Sequence, residues 1–131
     1  MMINVTNIVY ILMSIFFFIV GTAMGQDFIS SDNFNNTIAK DIVVVEFWVE
    51  WNSSNQFAEL GKLKECETYR VDIGECTKIQ NKYDVSAIPT VLVFENGEEK
   101  ERFLPNIMFQ LDADKKTIQH SVDTIILNKF Q

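Results

Sequence analysis

Runs of apolar residues separated by polar turns predict a chain in which strands and helices alternate. Residues 43–49 are almost continuously apolar, which is typical of a strand buried on both faces of a sheet. Two further strands are predicted over 68–73 and 90–94, and Phe28-Ile29 can form a short edge strand. The dipeptide Asn96-Gly97 predicts a tight hairpin that returns through a strand over 98–103, because both residues tolerate positive φ.

Apolar residues at helical spacing predict four helices between and after these strands. The first covers about 33–40, the second is capped by Ser53 or Ser54, the third covers 76–83, and the last is capped by Asp112 or Asp114. Phe57, Leu60 and Leu63 would line the buried side of the second helix, and Gly61 should weaken it by about 1 kcal/mol. The order β-α-β-α-β-α-β-β-α predicts an α/β fold with parallel pairing and one antiparallel hairpin.

The first 25 residues form a separate, apolar segment. No Asp, Glu, Lys or Arg occurs in residues 1–26, the run 8–20 is strongly apolar, and Ala23-Met24-Gly25 fits the pattern that a signal peptidase cleaves. The run lies between the lengths of a signal peptide and of a membrane-spanning helix. We therefore expect 1–25 to be a signal peptide or a membrane anchor, and 26–131 to be one exported domain, periplasmic or extracellular. Only an uncleaved segment would place the protein at a membrane.

Charge and composition exclude several classes of function. The net charge is −7 at pH 7 and no basic patch is present, so we expect no nucleic-acid partner. His120 is the only histidine, and Cys66 and Cys76 are too widely separated for a zinc-binding spacing. We therefore expect neither a metal nor a cofactor.

The two cysteines are expected to be separate thiols. The predicted strand between Cys66 and Cys76 would span about 20 Å, whereas the Cα atoms of a disulfide lie within roughly 7 Å of each other. A disulfide would require this stretch to turn back on itself.

Three segments in this order resemble the thioredoxin family, over about residues 28–130. They are Val45-Glu46-Phe47-Trp48-Val49-Glu50-Trp51, then Lys82-Tyr83-Asp84-Val85 leading to Ala87-Ile88-Pro89-Thr90, and then Phe94-Glu95-Asn96-Gly97-Glu98. The resemblance implies a thioredoxin fold, with a central mixed sheet flanked by helices. It also implies that the Ile88-Pro89 bond is cis, and that the backbone beside it pairs with an extended client peptide.

The chain departs from the family at the redox motif. Asn52-Ser53-Ser54-Asn55 stands where the family has Cys-x-x-Cys, and asparagine can neither attack a disulfide nor resolve one. We therefore expect a module that holds a protein or peptide client without dithiol chemistry. Its groove would be formed by Trp51, Asn52, Ser53, Ser54, Asn55, Ala87, Ile88 and Pro89. The interval from Trp51 to Pro89 is also shorter than in ordinary thioredoxins, and the segment 103–111 is longer.

Two alternatives to this function stay open. Cys76 follows the carboxyl end of a predicted central strand, on the side of the family's active site, and could act as a single redox thiol. A retained N-terminal segment would instead suit a membrane-tethered structural subunit.

Glu46 matches the family's buried carboxylate and is either a structural acid or a residual proton acceptor.

Overall fold

A four-stranded mixed sheet organises residues 27–131, which are the residues that this computed structural model describes. The strands are β1 (Ile42–Trp48), β2 (Glu67–Asp72), β3 (Thr90–Glu95) and β4 (Glu98–Phe103), and their spatial order is β2-β1-β3-β4. The α-helices are α1 (Phe34–Ile38), α2 (Thr77–Lys82) and α3 (Lys115–Asn128). The mixed sheet with flanking helices confirms the predicted fold class.

Strand β1 is buried on both faces, as its continuous apolar run predicts. Val43, Val45 and Phe47 pack in one core cluster with residues of α1 and α2. Ile42 and Val44 pack in a second cluster with Ile118, Val122 and Ile125 of α3. The sheet therefore forms the middle layer between helices on its two faces.

The pairing of β3 differs from the predicted parallel arrangement. Only β1 and β2 pair in parallel; β3 runs antiparallel to β1, and β4 runs antiparallel to β3. Helix α2 has 6 residues and so rises about 9 Å, whereas a strand of that length spans about 20 Å. The connection from β2 therefore does not carry the chain back to the level at which β2 begins. Strand β3 starts level with the carboxyl end of β2, because Asp72 pairs with Trp48 and Thr90 pairs with Phe47.

The predicted second helix is wrong as an α-helix. Two short 3-10 helices, Glu50–Asn55 and Leu60–Lys62, stand in its place, and neither has a side-chain cap. Phe57, Leu60 and Leu63 are nevertheless buried as predicted. Gly61 opposes helix continuation in the segment 56–66, so packing of these apolar side chains decides the local backbone.

Several local predictions are confirmed. Asn96 and Gly97 both have positive φ, 50° and 85°, at the β3–β4 turn. The side chain of Asp114, rather than that of Asp112, caps α3 by accepting a hydrogen bond from the Thr117 amide. The short edge strand predicted at Phe28-Ile29 is reduced to an isolated bridge between Phe28 and Arg70 of β2.

Strand β2 is an outer strand of the four-stranded sheet, with only that bridge beyond it, so Cys76 does not follow a central strand. Both cysteines are free thiols. The predicted signal or anchor segment, 1–25, lies outside the described residues. Within residues 27–131, no helix has the length and apolar character needed to cross a bilayer.

Candidate functional site

The loop that follows β1 contains the segment Asn52-Ser53-Ser54-Asn55. It forms the 3-10 helix Glu50–Asn55, which starts where the extended backbone of β1 ends. Trp51 is 66% exposed, whereas Asn52 is only 7% exposed. Ser53 and Ser54 are exposed to solvent. The loop therefore presents an aromatic surface while it buries the amide beside it.

Asparagine side chains tie this loop to the long segment that precedes α3. Asn52 Nδ2 donates to the Phe109 carbonyl oxygen at 3.0 Å, and Asn55 Nδ2 donates to Asn52 Oδ1 at 2.8 Å. Gln110 Nε2 donates a long bond of 3.5 Å to Asn55 Oδ1. Phe109 also places its ring edge-on to Trp51, with centroids 5.5 Å apart. The segment 104–111 thus packs on the loop at Asn52 and Asn55.

The Ile88–Pro89 peptide bond is cis, and it lies beside this loop. A cavity of about 160 Å³ is lined by Trp51, Ile73, Gln80, Ser86, Ala87, Ile88 and Phe109. The Ala87 carbonyl accepts a hydrogen bond from the Thr90 hydroxyl at 2.6 Å. The amide and carbonyl of Ile88 form no hydrogen bond within residues 27–131. An unpaired main-chain donor and acceptor therefore stand at the edge of a small apolar cavity.

The structure brings together part of the predicted groove. Trp51, Ala87 and Ile88 line the cavity, whereas Pro89 is buried and does not line it. Asn52, Ser53, Ser54 and Asn55 do not line the cavity. Phe109 was not anticipated as a wall of the cavity, although the unusual length of 103–111 signalled a changed surface there.

Glu46 is fully buried and has a partner for each oxygen. Its Oε1 accepts from Arg70 Nε at 2.7 Å, and its Oε2 accepts from the Phe57 amide at 2.7 Å. Arg70 Nη2 also donates to the Phe57 carbonyl at 2.8 Å. The carboxylate therefore joins β1, β2 and the segment after the loop. Arg70 was not predicted to be the partner of Glu46; the parallel register of β1 and β2 places the two residues opposite each other.

The two thiols lie in different environments. Cys76 is 5% exposed, and its Sγ donates to the Ile29 carbonyl oxygen at 3.9 Å. Cys66 lies just before β2, beside the start of β1. Burial, reinforced by the carboxylates of Asp123 and Glu65, raises the pKa of the Cys66 thiol to about 11. Cys66 is therefore protonated at neutral pH and is a poor nucleophile.

Metal ligation finds no support in the described part of the chain. Among residues 27–131, no group of three or more His, Cys, Asp and Glu side chains is arranged to hold a metal ion.

The thioredoxin family model matches residues 26–119. The chain belongs to the thioredoxin family. Thioredoxin of Chlamydia trachomatis is 31% identical over 80 residues, which cover 56% of this chain and 78% of that protein. Thioredoxin-1 of Saccharomyces cerevisiae is 32% identical over 85 residues, which cover 58% of this chain and 81% of that protein.

Solved thioredoxin structures share the fold. A mutant thioredoxin from Halobacterium salinarum superimposes with a TM-score of 0.61 at 16% identity, covering 76% of this chain and 88% of that one. Malassezia sympodialis thioredoxin gives a TM-score of 0.60 at 23% identity, covering 76% of this chain and 90% of that one. At these identities, the likeness shows the shared fold.

Proposed function

We propose that this member of the thioredoxin family is an exported protein that binds an extended protein or peptide client and does not exchange disulfides through its active-site loop. The observation that carries the proposal is the position of Asn52. Its amide stands in place of the family's first thiol, is buried, and is bonded to the Phe109 carbonyl. An amide in that position has no thiolate form and cannot open a disulfide.

The unpaired backbone at Ile88 supports client binding. Its free amide and carbonyl can pair with an extended peptide, as strand addition requires. Trp51 and Phe109 add exposed aromatic area next to it. Main-chain pairing together with apolar contact suits clients of varied sequence.

Insulin reduction tests the proposed absence of disulfide exchange. We expect the wild-type protein, supplied with dithiothreitol, to show only background turnover. Asn52→Cys/Asn55→Cys is the matched positive control, because it restores two thiols in the same loop. Robust wild-type turnover that disappears in Cys76→Ser would instead establish a single-thiol mechanism at Cys76.

Amide exchange tests the binding half. Reduced, carboxymethylated insulin B chain serves as an unstructured client, and exchange at Ile88 is followed by NMR with and without it. We expect the client to protect the Ile88 amide in the wild type. Ser86→Arg should abolish this protection by filling the cavity. Asn81→Arg is the charge control: it adds the same positive charge on the exposed side of α2, and the protection should remain. Equal exchange at Ile88 with and without client in the wild type would reject the groove.

Export is supported by the uncharged, apolar segment 1–25. Mass spectrometry of the native protein should find Gln26, or its cyclised form, at the N-terminus. Recovery of an intact N-terminus from the membrane fraction would favour the membrane-tethered form of the same domain.

A further inference from the structure

A second, larger groove also has Trp51 in its wall. Two cavities of about 660 Å³ and about 550 Å³ share Asp72 and Glu75 in their walls. We call the combined surface the corner groove and define it by its three aromatic residues, Phe28, Trp48 and Trp51, and its four acidic residues, Asp32, Glu50, Asp72 and Glu75. Its two parts fall within the usual size range of ligand sites, about 300–1,000 Å³.

The aromatic residues give the corner groove apolar walls. Phe28 is 52% exposed and stands edge-on to Trp48, with centroids 5.2 Å apart. The Trp48 indole N–H already donates to Gln56 Oε1 at 3.2 Å, so the polar atom of that ring is satisfied within the protein. Trp51 is the most exposed of the three. The groove therefore offers aromatic surface at an edge of the molecule that no described element covers.

The charge around this aromatic surface is entirely negative. No Lys or Arg lines either cavity. None of the four carboxylates takes part in an ion pair within residues 27–131, although other carboxylates of the domain, such as Glu46, Glu59 and Glu67, do. Asp72 Oδ1 accepts only the nearby Gly74 amide, at 2.9 Å. The acidic side chains of the corner groove are thus left without a cationic partner.

We propose that the corner groove binds an extended segment of a partner protein in which Lys or Arg side chains flank an apolar residue. A cation placed between these carboxylates gains Coulomb energy, and a cation over an exposed indole face gains further attraction. A neutral or acidic segment would gain neither, and it would remove the carboxylates from water without a partner. The carboxylates are not clustered tightly enough to share a metal ion among the described residues, so a bare divalent cation does not fit.

The proposal is independent of client binding at Ile88. The corner groove and the Ile88 cavity share only Trp51 among their walls. Ser86→Arg, which fills the Ile88 cavity, therefore separates the two surfaces in one experiment.

The test is an NMR titration of the full-length protein in a nonionic detergent. The chain has 2 tryptophans, so the indole N–H signals of Trp48 and Trp51 report on the corner groove, and Trp51→Phe assigns them. The probe is the end-blocked peptide Gly-Lys-Phe-Lys-Gly, compared with analogues in which both lysines are replaced by glutamine or by glutamate. We expect the lysine peptide to shift both indole signals saturably, the glutamine peptide to bind at least about fivefold more weakly, and the glutamate peptide not to bind.

Two double variants separate local from general electrostatics. Glu50→Gln/Glu75→Gln should weaken binding of the lysine peptide about fivefold, since it removes two local ion pairs. Glu65→Gln/Glu98→Gln removes the same charge elsewhere and should leave the affinity within about twofold, because distant surface charges are screened. Ser86→Arg should leave the affinity unchanged.

Several results would overturn the proposal. Equal affinity for the lysine and glutamine peptides would remove the role of charge. Equal weakening in both double variants would show attraction by net charge alone. A shift of Trp51 without Trp48, lost in Ser86→Arg, would place the peptide at Ile88 instead. No shift at any peptide concentration would show that the groove does not bind such segments.

Discussion

Replacement of Arg70 by methionine is the most direct test of how β1, β2 and the segment after the Glu50–Asn55 loop are held together. The substitution keeps an unbranched side chain of similar length but removes the cation. The fully buried Glu46 carboxylate would keep only the Phe57 amide as a partner. The Phe57 carbonyl would lose its bond from Arg70 Nη2 at the same time.

The expected loss follows from these contacts. Removal of one member of a buried, hydrogen-bonded ion pair costs about 3–5 kcal/mol, because the other charge stays buried and unpaired. A domain of this size has about 5–15 kcal/mol of stability in total. In Glu46→Leu/Arg70→Met both charges are gone, and the main loss is the Phe57 amide left without a partner, about 1–3 kcal/mol. The Phe57 carbonyl still accepts a hydrogen bond from the Leu60 amide at 3.2 Å. The double variant should therefore be more stable than Arg70→Met alone.

Urea unfolding at pH 7, followed by far-UV circular dichroism, measures these differences. Lys40→Met is the matched control, because it breaks the exposed Lys40–Glu67 ion pair next to the same strand. Exposed pairs contribute at most about 1 kcal/mol. If Arg70→Met loses no more stability than Lys40→Met, or if the double variant loses the sum of its two single variants, the buried pair is not the structural link that we infer.

Three further outcomes are expected. Asn52→Ala should speed amide exchange across 104–111, because the bond to the Phe109 carbonyl is lost. Exchange in 98–103 should stay as in the wild type. Unchanged exchange in 104–111 would mean that Asn52 does not hold this segment. At pH 8, Cys66 should react with iodoacetamide about 100-fold more slowly than an ordinary cysteine, because its pKa lies near 11 rather than 9.0. A rate equal to that of the urea-unfolded chain would contradict the burial of this thiol. Hydrogen bonds from the Thr117 hydroxyl and amide lower the pKa of Asp114, so its cap is fully effective above its unfolded pKa and is lost as pH falls through the lower folded value. The difference in urea midpoint between wild type and Asp114→Ala should accordingly shrink from about pH 5 to about pH 2, and a constant difference would show that the charge of the cap is irrelevant.

Much of the sheet was predictable because its signals are local. An apolar run with no polar interruption other than Glu46 marks β1, and the Asn96-Gly97 turn sets the β3–β4 hairpin through backbone conformation alone. The cap at Asp114 is another such signal, although spacing alone did not separate it from Asp112.

The candidate site was predictable only in part. The residues at Trp51 and Ile88 follow from the order of the family's segments, and the structure places both at one cavity. The contribution of Phe109 was not predictable, because its position depends on how a long irregular segment folds back over a loop more than fifty residues earlier. Its φ of 57° and its contact with Asn52 have no sequence pattern of their own.

By itself, the sequence determined which residues are apolar, where the chain turns, and that residues 52 and 55 of the loop after β1 are asparagine. Those properties belong to single residues or to short runs. The tertiary structure alone decided that β3 runs antiparallel to β1, that Arg70 is buried against Glu46, and that two 3-10 helices replace the predicted α-helix after β1. Each of these depends on distances between segments far apart in the chain, which packing and connection length set and local propensity does not.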